Sequence, residues 1–240
     1  MKHDSEAALH FTDEAAARIS EWRRHLINLA DGKLSGIPER SFLGREMRAA
    51  AVVATMAELE ALLREMMIAI GAHVNSTSIL TKDLTPSLRT LAANSRFESM
   101  RYSSDHEAIW NGRLEVTGLD ASLERVNLPG KTRSSPQPPL DGRTIQVRHI
   151  AIVWRVLGLT DPIPRASVVT ALKKLTQIRN DVAHRNVDIA QVFSEAGRTA
   201  REIAGYLDEV VLLVLHIGVE WSEYLEQERF RVNRPARPGA

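Results

Sequence analysis

There is no cysteine in the 240 residues. Its absence excludes a disulfide scaffold, a thiolate zinc site and a cysteine nucleophile, and it fits a reducing compartment. Long apolar runs are missing too. The longest, VVLLVLHIGV from Val210 to Val219, is interrupted by His216 and Gly218 and falls short of the roughly 18 residues that a membrane span requires. The opening MKHDSEAALHFTDE lacks the apolar h-region of a signal peptide, so the expectation is a cytoplasmic protein with no membrane partner. Metalloprotease HExxH, P-loop, glycine-rich dinucleotide and GxSxG signatures are all missing.

Charge of one sign is also lacking. The net charge is +1, so bulk charge alone predicts no nucleic-acid binding. Lysine is scarce, 6 residues against 25 arginines. Guanidinium groups fork onto phosphate oxygens, although an arginine-biased coding composition gives the same count, and both readings stay open. Aromatic residues are few, and Trp22, Trp110, Trp154 and Trp221 read as packing residues rather than base-stacking platforms.

What is present is helical periodicity. Hydrophobic residues make up 44% of the chain, enough for a sizeable core. Phe11 to Leu29 reads as an amphipathic helix capped by Thr12 or Asp13, and ADGKLSGIPERS follows as a linker. From Ser41 to about Ile70, Val52, Met56, Leu59, Leu63, Met66 and Ile70 recur every three or four residues, which predicts one long helix with an apolar face. Shorter helices are expected over Pro86–Arg101 and Asp105–Trp110, broken at Tyr102-Ser103-Ser104. The stretch NLPGKTRSSPQPPLDGR, Asn127 to Arg143, is an extended loop. Lys131, Arg133 and Arg143 in it are candidate phosphate contacts. Ile145–Leu157 forms a helix ended by Gly158, Ala166–His184 another, and Thr199 to about Glu228 a long closing helix. No strand alternation and no internal repeat stands out. The fold class expected is an all-α bundle, two long helices flanking shorter ones. Residues 1–40 read as a helical extension and linker, 41–228 as the main domain and 229–240 as a basic flexible tail. The tail arginines 229, 231, 234 and 237 are either phosphate contacts or solvated.

The closing turns of one helix read IRNDVAH, Ile178 to His184. Arginine followed by histidine after four to six residues is a cheap pattern. Eight histidines, three spacings and arginine at about a tenth of the chain give roughly two or three chance matches. Four occur, at Arg18/His25, Arg101/His106, Arg143/His149 and Arg179/His184. The last alone continues the apolar stripe of its own helix, Val168, Leu172, Leu175, Ile178 and Val182. At about 100° per residue, Asn180 and His184 share a face with Asp181 beside them, whereas Arg179 stands about 140° from His184. Either the arginine wraps around the helix, or the two meet across a second copy of it in a two-fold dimer.

LTQIRNDVAHRN resembles the signature helix of the HEPN superfamily, an arginine, then a polar residue, three more positions and a histidine. Asn180 and Ala183 match the common RNxxAH form. RAAAVVATMAELEALLREMM resembles the same superfamily's early helix with its LExxL pattern, here Leu59 to Leu63. The likeness runs over about Ser41 to Glu228 and sits nearest the RiboL-PSP-like or MAE-like branches. It implies a homodimeric, metal-independent endoribonuclease of the toxin or antiphage-defence kind, needing no cofactor. A cognate antitoxin or sensor protein is the implied partner. Arg179 and His184 would be the catalytic pair and Asn180 the polar helper. One departure is Asn186, where toxins regulated by modification carry a tyrosine two residues after the histidine.

RNA brings its own nucleophile, the 2′-hydroxyl. Histidine suits acid or base work near neutrality, and arginine stays charged on the developing phosphorane. The expected products are 2′,3′-cyclic phosphate and 5′-hydroxyl ends. Glu60 stands on an apolar stripe and is expected to take a cation, either Arg179 or a neighbouring basic residue, or else Arg64 in a surface i,i+4 pair. Asp181 reads as a structural or motif-edge residue, and His216 as a satisfied core or interface histidine. The competing readings are a non-catalytic HEPN module that binds RNA or a partner protein, and a helical scaffold carrying a coincidental motif.

Overall fold

The computed structural model describes residues 2–131, 137–183, 189–195 and 197–232. Among these the chain is all-α, with two isolated β-bridges and no strand. The helices are α1 (Lys2–Ala30), α2 (Phe42–Ser76), α3 (Pro86–Ala92), α4 (Asn94–Tyr102), α5 (His106–Thr117), α6 (Val147–Leu157), α7 (Ala166–Ala183), α8 (Ile189–Val192) and α9 (Ala200–Glu226). No helix among the described residues is long and apolar enough to cross a membrane.

The central rod is α2, 35 residues and roughly 50 Å long. Ser41 starts it, its hydroxyl accepting a hydrogen bond from the Gly44 amide at 3.1 Å. All six residues of its apolar stripe are buried, and so are Ala51, Thr55, Leu62, Met67 and Val74 on its other flanks. A helix buried this widely needs several partners, and α2 packs against α1, α7, α8 and α9. The closing helix α9 begins with a reciprocal cap between Thr199 and Glu202, and its Ile203, Leu207, Val210, Val214 and Ile217 complete the core.

A third long helix joins these two. α1 starts at Lys2, well before the expected Phe11, and lies along α9 with Ala8, Ala15, Ile19, Leu26 and Leu29 buried in the common core. Thr12, read from sequence as an N-cap, sits inside the helix. It is buried, and its hydroxyl donates back to the Leu9 carbonyl at 2.8 Å. The reason for the close approach is Gly218 of α9, where an added Cβ would collide with the Thr12 side chain.

The other boundaries follow local chemistry. α4 ends at Tyr102, and Asp105 caps α5 through the Glu107 amide at 2.9 Å, so the helix break falls where the sequence places it. α5 runs on to Thr117, beyond Trp110. Gly158 ends α6 with φ +70, the left-handed region that glycine takes freely. The expected tail is docked at its start. Phe230 is fully buried, its carbonyl accepts from the Thr85 amide, and Arg229 pairs with Glu220 and Glu223.

Candidate functional site at the end of α7

The stripe predicted for α7 is the buried face. Val168, Leu172, Leu175 and Ile178 are buried and Val182 packs against the core, turned toward α2 and α9. This pins the last two turns and fixes the direction of the polar residues around them. Arg179 and Asn180 are half-buried beside that face. Arg179 forms no ion pair or hydrogen bond among the described residues, whereas the deeply buried arginines of the protein are all engaged. His184, the other member of the predicted pair, lies outside the described residues, as does Asn186.

Asp181 has a definite partner. Its carboxylate accepts from Nη2 of Arg198 at 2.7 Å, and the Arg198 side chain is only 4% exposed. The same guanidinium pairs with Glu195 at 2.7 Å and donates to the Val192 carbonyl at 2.9 Å. Behind it, Arg48 of α2 donates to the Arg198 carbonyl at 2.8 Å and to the Glu39 carbonyl at 3.2 Å. It also stacks 4.5 Å over the Phe193 ring. Burial pulls the Arg48 pKa down, partly offset by the Glu39 carboxylate 3.6 Å away. Glu39 reaches further, accepting from the Ala200 amide at 2.6 Å and so capping α9. One polar network thus ties the end of α7 to α8, the start of α9, α2 and the linker after α1. Asp181 is the structural residue of the motif.

A groove of about 690 Å³ opens beside Asn180, between α7 and the start of α6. Val147 and Leu172 make its apolar floor, Gln146, Gln177 and Asn180 bring carboxamides, and Arg148 and Lys173 stand at its edge. Of the loop residues predicted to touch phosphate, the two described ones, Lys131 and Arg143, do not line it. Lys131 is exposed on a stretch held to α2, where Asn75 clamps both backbone groups of Leu128 at 2.8 and 3.1 Å. Arg143 is exposed and sits 3.8 Å from Asp141. The Arg143 amide, then the nearby His149 ring and Arg143 guanidinium, hold Asp141 below the usual carboxylate range. Arg133 lies outside the described residues.

Set against known protein families, curated proteins and solved structures, the chain matches none. The site therefore rests on its own geometry.

Glu60 is half-buried, and among the described residues it pairs neither with Arg179 nor with Arg64, which is 4.0 Å from its neighbour Glu65. His216 is satisfied: its Nε2 donates to the Asp161 carbonyl at 2.8 Å and its ring stacks on Trp154. Trp154 and Trp221 are buried as expected of packing residues, but Trp110 is 58% exposed on α5 with Arg113 over its ring. Among the described residues no three His, Asp or Glu side chains gather as a metal site. Sequence reasoning missed Arg48, Arg198, Arg148 and Lys173. The first two complete a network assembled from distant segments, and neither lies in a recognisable motif.

Proposed function

We propose that this protein is a HEPN-type endoribonuclease of the toxin or defence kind, acting as a homodimer without a metal. The observation that carries it is the state of Arg179. A half-buried guanidinium on the last turn of a packed helix, with no carboxylate engaging it among the described residues, is a cation held in reserve for an anion. Its position one residue before Asn180 and five before His184 is the motif's own order.

In this reading Arg179 grips the non-bridging oxygens of the scissile phosphate and stabilises the charge of the phosphorane. His184 moves the proton, taking it from the 2′-hydroxyl or giving it to the departing 5′-oxygen. Asn180 orients the phosphate or the imidazole. The 2′-oxygen bonds to phosphorus as the P–O5′ bond breaks, leaving a 2′,3′-cyclic phosphate and a 5′-hydroxyl. A second copy of the motif supplies the missing half of the site, since helical spacing in the sequence sets Arg179 and His184 about 140° apart.

Cleavage of labelled RNA in the presence of EDTA tests this, comparing wild type with His184→Ala and Arg179→Ala. Wild type is expected to cut and both variants to be inactive while remaining folded dimers. Undiminished cutting by either variant sinks the site. RNA binding without cutting by the wild type points to a non-catalytic module.

A further inference from the structure

The groove between α6 and α7 has a composition that the proposed chemistry at Arg179 and His184 does not use. Its volume, about 690 Å³, falls within the range of small-ligand clefts. Three features of its lining point the same way. Val147, backed by the fully buried Leu172, gives an apolar patch against which a flat ring can lie. Gln177 and Asn180 each carry a donor and an acceptor, the pattern that reads base edges, while the Gln146 carboxamide is held in the capping box of α6. Arg148 and Lys173 are exposed cations with no ion pair among the described residues.

Among the described residues the one carboxylate in the lining is Asp181, and it is engaged from behind by the buried Arg198, which it shares with Glu195. Two unpaired cations against one paired acid leave the lining net positive. A floor for a base, carboxamides for its edge and two free cations for phosphate together describe a nucleotide. Asn180 belongs to both the groove and the motif, which makes the groove continuous with the cleavage site.

We infer that this groove binds a segment of single-stranded RNA flanking the cleaved bond, with Arg148 and Lys173 holding its phosphates. The inference rests on the ribonuclease reading for the role of the strand but is tested by binding alone. The probe is a short fluorescein-labelled oligoribonucleotide with 2′-O-methyl groups throughout, which has no nucleophile and cannot be cut. Its affinity is followed by fluorescence anisotropy across a salt series for wild type, for Arg148→Glu/Lys173→Glu, and for Arg24→Glu/Arg101→Glu. The last makes the same change in charge on exposed residues of α1 and α4.

The groove variant should bind at least about tenfold more weakly, and the slope of log affinity against log salt should fall by about 1.4, roughly 0.7 for each phosphate no longer neutralised. The control should keep the wild-type slope. Wild type failing to bind overturns the inference, as does a groove variant with unchanged slope or a control that loses as much affinity. Sedimentation of the same samples adds one more outcome. A groove variant that falls apart to monomer makes the groove a subunit interface and overturns the RNA assignment. Failure of the ribonuclease reading appears separately, as groove-dependent binding in a protein that never cuts natural RNA.

Discussion

The carboxylate of Asp181 and the guanidinium of Arg198 meet at 2.7 Å, the arginine side chain 4% exposed and the aspartate 35%. Arg198 also holds Glu195 and the Val192 carbonyl, so it is the hub that keeps the end of α7 in register with α9. Arg198→Ala leaves a part-buried carboxylate and a carbonyl without their donor and is expected to cost about 3 kcal/mol. Asp181→Ala should cost less, because Arg198 keeps its two other acceptors. Urea denaturation of both variants checks the order; a smaller loss for Arg198→Ala than for Asp181→Ala would contradict the hub assignment.

That hub marks where sequence reading stops. The stripes of α2 and α7 were legible because burial on one face writes a period of three to four residues into the chain. The break before Asp105 and the stop at Gly158 were legible because they are made by neighbours. Arg198 meets an acid 17 residues earlier through a connection of no fixed period, and nothing local announces it. Glu60 is legible only in part. Its place among the buried Met56, Leu59 and Leu63 gives its partial burial, but not which cation, if any, faces it. For the site itself, Arg179 and Asn180 fall at the edge of the packed face as the helix geometry requires, while the groove beside them needed α6, whose approach no pattern in α7 encodes.

The packing of α1 on α9 depends on a missing side chain. Gly218→Ala drives a methyl group into Thr12 and should destabilise the protein by about 1–3 kcal/mol. Thr12→Gly removes the obstruction but weakens α1 by about 0.3 kcal/mol in helix propensity, besides the lost burial of its methyl group. In the double variant the Gly218→Ala penalty should largely vanish. A double-mutant cycle by thermal denaturation reads this directly, and additive losses would mean that the two residues do not press on each other.

Acid should loosen the molecule through its paired carboxylates. Arg165 chiefly, with the Ser167 hydroxyl, lowers the Glu209 pKa, and the hydroxyl and amide of Thr199 lower that of Glu202. A carboxylate whose folded pKa is depressed stabilises the fold fully above its unfolded value, about 4.3, and loses that contribution as pH falls through the lower folded value. The melting temperature should therefore hold above about pH 5 and decline below pH 4. Glu209→Gln should lower the neutral-pH melting temperature and shrink the acid decline; a variant with the wild-type profile would show that the pair contributes nothing across this range.

The spacing of Arg179 and His184 in the sequence, about 140° apart at helical periodicity, makes a prediction about mixed dimers. If each cleavage site takes its arginine from one subunit and its histidine from the other, Arg179→Ala and His184→Ala subunits complement. In a mixed dimer one site carries both lesions and the other carries none. Random exchange makes half of the dimers mixed, each with one intact site of two, so activity should return to about a quarter of wild type. A site built within one subunit behaves differently, because every subunit in the mixture lacks one member of the pair and no cleavage appears. Co-refolding the two inactive variants and timing RNA cleavage decides between the arrangements, and silence in a mixture shown by mass spectrometry to contain mixed dimers rejects the composite site.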